Sequence, residues 1–289
     1  MSQKIAVAIV HGIGLVDPTF ADGMIAELKE RLADRLGSVT PDPRGDFVFQ
    51  PVLWAPVLQG SEDNLVNRLK TSNPWGYATL RRFMIDFAAD ALAYQPVPGD
   101  RGVYDGIHAI VAKAVKTLSQ KAGPEAPLCF IAHSLGTVIT SNYLYDLQVY
   151  PRRKLIAAPV RRAMGCTPID KGETLAALYT MGSPLALWSL RYDDFGTPIT
   201  VPSPKLNGHY PTVQGEWINF YDSSDIIGYP LKSINDAYGK RVTADKAVNV
   251  GNLLTSWNPA SHLEYWTDND VTIPIADGLA RLWRQSNGH

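Results

Sequence analysis

This chain of 289 residues has few cysteines and no excess of charge of either sign. Its two cysteines, Cys129 and Cys166, stand in different sequence contexts, which indicates neither a disulfide framework nor a cysteine-rich metal site. Lys and Arg number 27 against 28 Asp and Glu, giving a net charge of −1, and neither sign forms a long run. This balance argues against nucleic acid as an obligate partner.

Long apolar runs are also missing. No segment approaches the roughly 18 continuous apolar residues that a membrane span requires. The apolar run at residues 5–10 leads straight into a glycine-containing loop, so we interpret it as a strand buried on both faces and not as a cleaved signal. We therefore expect a cytoplasmic protein without a transmembrane segment, and the sequence leaves its oligomeric state open.

Strand-like and helix-like segments alternate along the chain, as a mostly parallel sheet flanked by helices requires. A composition of 45% hydrophobic residues allows a large core, and α/β folds of this length commonly form one domain. We predict a single α/β domain over residues 1–289. The predicted elements include strands at 47–54, 175–181 and 247–251, a helix that opens at Asp17-Pro18 and stops at Gly37, and a helix from about Val103. Pro51 indicates that strand 47–54 lies at a sheet edge or carries a bulge.

Residues 132–136 read AHSLG and lie between an apolar run and a segment that can open a helix. A serine with small residues two positions before and after it suits the sharp strand-to-helix turn called the nucleophile elbow. The first small residue is Ala132 instead of glycine, so the match is a variant of that motif. Such a turn would hold the Ser134 hydroxyl up at the sheet edge and leave the Leu135 N–H available to an anion. The alternative is an ordinary turn serine.

The second motif, HGIG at residues 11–14, follows the first apolar run. Its glycines would let the backbone turn tightly and approach a ligand closely. In this context the N–H of Ile13 would be a second oxyanion donor beside that of Leu135. We expect His11 itself to be structural.

The chain contains a strand followed by HGIG and, later, a strand followed by AHSLG and a helix. This order resembles the α/β-hydrolase superfamily, especially serine esterases and small bacterial lipases. The resemblance implies an α/β-hydrolase fold and a nucleophile, acid and base in the order Ser, Asp or Glu, His, each after a strand. It also implies that no cofactor and no metal is needed.

Two aspartates compete for the acid, because an aromatic-rich strand at 216–221 runs into a turn that contains both Asp222 and Asp225. The family pattern favours Asp225, with Asp222 capping the turn through its side chain. The base is predicted to be His262, which lies on a loop after the last strand and resembles the family's His-x-x-Tyr-Trp ending. His209 precedes the acid and breaks the order. His133 is expected to pack or face solvent, with contact to the substrate as the alternative.

These residues predict a serine hydrolase that cleaves a carboxylic ester of a small molecule through an acyl-enzyme. Ser134 would be the nucleophile, His262 the base and Asp225 the group that orients the base. An amidase or thioesterase would use the same residues. A catalytically silent hydrolase fold that serves as a binding or scaffold module is the alternative from another class.

Two segments exceed a minimal sheet and are predicted cap-like insertions, at about 56–100 and 149–215. The first carries apolar residues at helical spacing, either as a helix that packs on the core or as a cap over the site. The second, between elbow helix and acid, is in a position where loops shape specificity.

Overall fold

Six parallel strands form the central sheet. The computed structural model describes residues 2–13, 17–57, 87–96, 99–191, 196–251 and 262–289. The strands are β1 Ile5–Val10, β2 Phe47–Val52, β3 Leu128–His133, β4 Leu175–Met181, β5 Glu216–Asp222 and β6 Ala244–Val248, in the spatial order β2-β1-β3-β4-β5-β6. The predicted α/β class, with a mostly parallel sheet flanked by helices, is thus confirmed, and every described strand pair is parallel.

The helices cover both faces of the sheet. They are α1 Asp22–Leu36, α2 Gly102–Ala122, α3 Leu135–Arg153, α4 Ala158–Ala163, α5 Leu185–Trp188, α6 Leu206–His209, α7 Asp236–Arg241 and α8 Asn269–Asn287, with 3₁₀ turns at Ala55–Val57 and Ser189–Arg191. Apolar residues of α2 and α3 form one core with one face of the sheet, and those of α1 and α8 form a second core with the other. No helix in the described part of the chain is long and apolar enough to cross a membrane.

Strand β1 shows why the sequence specifies this layering. All six of its side chains are buried, and they alternate between the two cores: Ala6, Ala8 and Val10 on one side, Ile5, Val7 and Ile9 on the other. Only a strand covered on both faces can be apolar at every position. The prediction of a doubly buried first strand is confirmed.

Three predicted boundaries shift in the structure. Helix α1 begins at Asp22 and not at Asp17-Pro18, because the Asp17 side chain first accepts a bond from Thr19 N–H and holds a turn there. The last strand is Ala244–Val248 instead of 247–251, since its pairing with β5 ends where β5 ends. The strand predicted at 47–54 ends at Val52 and, as Pro51 indicates, lies at the sheet edge.

The first predicted insertion is described only at its ends. Residues 58–86 lie outside the described residues, and residues 87–94 are helical. Tyr94 is fully buried and its hydroxyl is 2.9 Å from Nε2 of His108 in α2, so this end of the segment packs on the core. Phe87 contacts Trp188 of the second insertion, with ring centroids 6.4 Å apart.

The strand order reverses between β1 and β3. From β1 the chain crosses to β2 on one side, and the next strand, β3, returns to the other side of β1. Crevices at the carboxyl ends of parallel strands form at such a reversal. Both sequence motifs, which follow β1 and β3, therefore lie at this point.

Buried histidines should make stability strongly dependent on pH. Burial lowers the pKa of His11 to about 4 and that of His133 to about 3, and it also lowers the pKa of His108. Unfolded histidines titrate near 6.5, so at pH 5 unfolding should take up about two protons or more. The free energy of unfolding should then decrease by about 2.7 kcal/mol or more per pH unit as the pH is lowered through 5.

Urea denaturation between pH 4.5 and 7 at constant ionic strength measures this slope. Unfolding of His133→Gln, whose amide does not titrate, should take up about one proton fewer, and the slope should be smaller in proportion. A free energy of unfolding that stays constant over this range would contradict the burial of these histidines in an uncharged form.

Candidate active site

Ser134 lies in a strained turn between β3 and α3. Its φ of 54° and ψ of −130° are outside the regions that a side chain with a Cβ readily adopts. Its N–H donates to Met181 O at 2.9 Å, and its carbonyl accepts from the N–H and hydroxyl of Thr137. The turn is thus fixed on both sides, and the side chain is 1% exposed.

The small residues around Ser134 allow two backbone segments to approach each other. A Cβ at Gly136 would lie 2.4 Å from the carbonyl oxygen of His11, and a Cβ at Gly12 would lie 2.6 Å from Cβ of Ser134. Both distances are far below van der Waals contact. Glycine is therefore required at both positions, and the loop after β1 lies directly against the turn after β3.

Leu135 is the first residue of α3, where an N–H has no acceptor within its own helix. Ile13 follows Gly12 on the facing loop and lines the same cavity as Ser134. Gly14, the last residue of the HGIG motif, lies outside the described residues. The structure therefore places Ile13, one predicted donor, in the same cavity as Ser134, which directly precedes Leu135, the other.

His262 and Asp225 form a buried pair. Nδ1 of His262 is 2.8 Å from Oδ2 of Asp225, and both side chains are almost fully buried. Burial alone would raise the pKa of the Asp225 carboxyl. The hydrogen bonds that it accepts, above all the one from His262, outweigh burial and hold its pKa below the ordinary value.

The structure separates the two competing aspartates. Asp222 accepts from Ser224 N–H at 2.7 Å through Oδ1 and from Val250 N–H at 2.8 Å through Oδ2, which fastens the turn and the chain after β6. It caps the turn, as predicted, and the carboxylate that reaches His262 is that of Asp225. His209 instead lies 3.9 Å from Glu125 and 3.8 Å from Glu173.

His11 and His133 support the site from behind. Nδ1 of His11 is 2.9 Å from Gly12 O, and Nε2 accepts from Trp54 N–H, so His11 is structural, as predicted. His133 is buried, and its Nε2 is 2.7 Å from the carbonyl oxygen of His262. The sequence placed His133 in packing or in solvent and missed that it ties the backbone of His262 to β3.

Tyr265 is the second residue whose contacts the sequence did not predict. Its buried hydroxyl donates to Oδ2 of Asp225 at 2.9 Å and accepts from Asp222 N–H at 2.8 Å. The only available signal was that a buried tyrosine hydroxyl requires a partner. Tyr265 therefore holds the acid-bearing turn at two points.

A cavity of about 360 Å³ opens over these groups. Ser134, His262 and His133 lie in its wall with the loop residues Gly12 and Ile13. Within the described residues, no group of three or more His, Cys, Asp or Glu side chains is arranged to hold a metal ion. Around Ser134 the cavity offers a hydroxyl and an imidazole, and the side chain of Asp17 also lies in its wall.

No protein-family model matches the chain, and no curated protein matches it by sequence. Solved structures that are similar to the chain include three at 11% identity. A cutinase-like protein from Cryptococcus sp. has a TM-score of 0.42 and covers 99% of this chain and 96% of its own. A structure from work on the metagenome-derived lipolytic enzymes LipS and LipT has a TM-score of 0.36, and the match covers 86% of this chain and 83% of that structure's chain. The esterase domain of a Rhodothermus marinus protein has a TM-score of 0.36, and the match covers 98% of this chain and 88% of that domain.

Tyr265→Phe should destabilise the protein by about 1–3 kcal/mol, because the buried Asp222 N–H loses its acceptor and Asp225 loses a donor. Tyr143→Phe is the matched control. The Tyr143 hydroxyl is equally buried but has no hydrogen-bond partner among the described residues, so its removal should change stability little. Chemical denaturation of both variants measures the difference, and equal losses would contradict the structural role of Tyr265.

Proposed function

We propose that this protein is a serine hydrolase that cleaves a carboxylic ester through an acyl-enzyme intermediate. One observation carries the proposal: a strained, buried serine and an imidazole bound to a buried carboxylate face one cavity. A positive φ at a residue with a Cβ destabilises the fold by about 1–3 kcal/mol and recurs at active sites. Since Ser134 comes from β3 and its partners from after β5 and β6, we also propose that the chain works as one domain.

The partners of His262 define its role. An ionised carboxylate can only accept, so the proton of the neutral ring is on Nδ1, where it donates to Oδ2 of Asp225. The lone pair is then on Nε2, which is the nitrogen that can take a proton from Ser134. Asp225 would fix this tautomer and stabilise the imidazolium that forms.

The Ser134 hydroxyl is buried and has no hydrogen-bond partner among the described residues. Buried hydroxyls without a partner are rare in native structures, and active sites are one place where they persist. Catalytic hydrogen bonds are often long in the absence of substrate and tighten when it binds. We expect a hydrogen bond from Ser134 Oγ to His262 Nε2 to form when the substrate binds.

The reaction follows from these positions. Oγ of Ser134 attacks the carbonyl carbon while His262 takes its proton. The N–H groups of Ile13 and Leu135 would stabilise the oxyanion, and one such donor typically contributes about 3 kcal/mol. The tetrahedral intermediate then breaks its bond to the alcohol oxygen, which receives the proton from His262. Water, deprotonated by the same imidazole, attacks the acyl-enzyme and releases the acid and free Ser134.

A fluorophosphonate probe tests the nucleophile. The native protein should become labelled, and Ser134→Ala should not. Ser183→Ala is the matched control, since Ser183 is also buried at a turn after a strand but is bonded to Thr137, 2.8 Å from oxygen to oxygen. It should keep the label. Labelling that survives Ser134→Ala would contradict the assignment of the nucleophile. An unlabelled native protein would contradict the proposal and leave a silent binding module as the alternative.

The acid is tested by a pair of variants. Asp225→Asn should lower kcat for p-nitrophenyl esters by about 10⁴-fold, because an amide favours the wrong tautomer of His262. Asp222→Asn removes a carboxylate three residues away that contacts only backbone N–H groups among the described residues, so its loss should be far smaller. Circular dichroism must show that both variants are folded. The reverse order of the two losses would overturn the assignment of Asp225.

Parallel assays with matched amides and thioesters measure the preference for the ester.

A further inference from the structure

The outer wall of the cavity has a composition that the proposed reaction does not require. Asp17, Phe20 and Trp266 are among the residues that line the cavity. The rings of Phe20 and Trp266 meet edge to face, with centroids 5.4 Å apart and planes at 71°. We call these two residues the aromatic wall.

The carboxylate of Asp17 is exposed to solvent and lines the cavity. Its Oδ1 accepts from both the hydroxyl and the N–H of Thr19, and these bonds lower the pKa of Asp17, which keeps it ionised. Both bonds use the same oxygen. A carboxylate has acceptor capacity on each oxygen, so Oδ2 can accept from a ligand.

The rest of the described cavity wall carries no compensating positive charge. It contains no Lys or Arg. Burial lowers the pKa of His11 to about 4 and of His133 to about 3, so both rings are neutral near pH 7. The carboxylate of Asp225, which is behind His262, adds negative potential. A substrate in this cavity meets one fixed negative charge beside two aromatic rings.

This combination is selective for cations. An ammonium or guanidinium group is attracted by the carboxylate and by the faces of Trp and Phe rings, whereas a phosphate or carboxylate on the substrate would be repelled. Such a wall would offer a cation both an opposite charge and apolar contact.

We infer that the cavity binds esters that carry an ammonium or guanidinium group, with Asp17 and the aromatic wall as the cation subsite. The inference rests on the proposed function, because it names the substrate class of the same site. It also predicts discrimination against acyl compounds with strongly anionic leaving groups.

A pair of isosteric substrates tests the subsite. Butyrylcholine and 3,3-dimethylbutyl butyrate differ only in the replacement of the quaternary nitrogen by carbon. The native protein should favour the charged ester in kcat/KM. Asp17→Asn should lower the ratio of the two kcat/KM values about three- to tenfold. Asp34→Asn, which removes an exposed charge on α1 outside the cavity wall, should leave the ratio unchanged. Added salt should reduce the preference of the native protein.

Binding separates this inference from the proposed function. Calorimetry on Ser134→Ala should show tighter binding of butyrylcholine than of the neutral ester, and Asp17→Asn in that background should reduce the difference. Charge-selective binding without any turnover would support the subsite and contradict the hydrolase. Hydrolysis of both esters at equal kcat/KM, or a ratio that Asp17→Asn does not change, would overturn the subsite and leave the hydrolase standing.

Discussion

The close approach of two backbone segments is the constraint on which the site depends. The loop after β1 and the turn after β3 touch at Gly12 and Gly136, where any Cβ would collide with the facing segment. This contact is possible because β1 and β3 are hydrogen-bonded neighbours whose carboxyl ends meet at the reversal of strand order. The strain at Ser134 persists because both sides of its turn are fixed by the neighbouring strand and by α3.

The remaining groups are attached to this point by a chain of hydrogen bonds. Asp225 holds the ring of His262, while His133, the residue before Ser134, holds its carbonyl oxygen. Tyr265 then links the carboxylate of Asp225 to the backbone of Asp222 at the end of β5. The imidazole is therefore positioned from both the elbow strand and the acid-bearing turn, which is the pre-organisation that acyl transfer would need.

The sequence predicted the parts of this arrangement that follow from pattern. Buried strands can be inferred from apolar runs, and the turn at Ser134 from small residues at fixed spacing. The pairing of His262 with Asp225 was expected from family order, and the structure brings these two side chains together. The contacts of Tyr265 and His133 were not predictable, because they join positions 40 and 129 apart through groups that any buried tyrosine or histidine could supply. The predicted start of α1 was wrong because a local turn held by Asp17 replaces the first helical turn.

The most direct test of the account is a crystal structure of the protein after reaction with diethyl p-nitrophenyl phosphate, a tetrahedral mimic of the proposed intermediate. The account predicts a covalent bond from Ser134 Oγ to phosphorus, with the phosphoryl oxygen about 3 Å from the N–H groups of both Ile13 and Leu135. It also predicts that His262 stays bonded to Asp225 and faces the adduct through Nε2. No adduct, an adduct on another residue, or a phosphoryl oxygen turned away from these N–H groups would contradict the account.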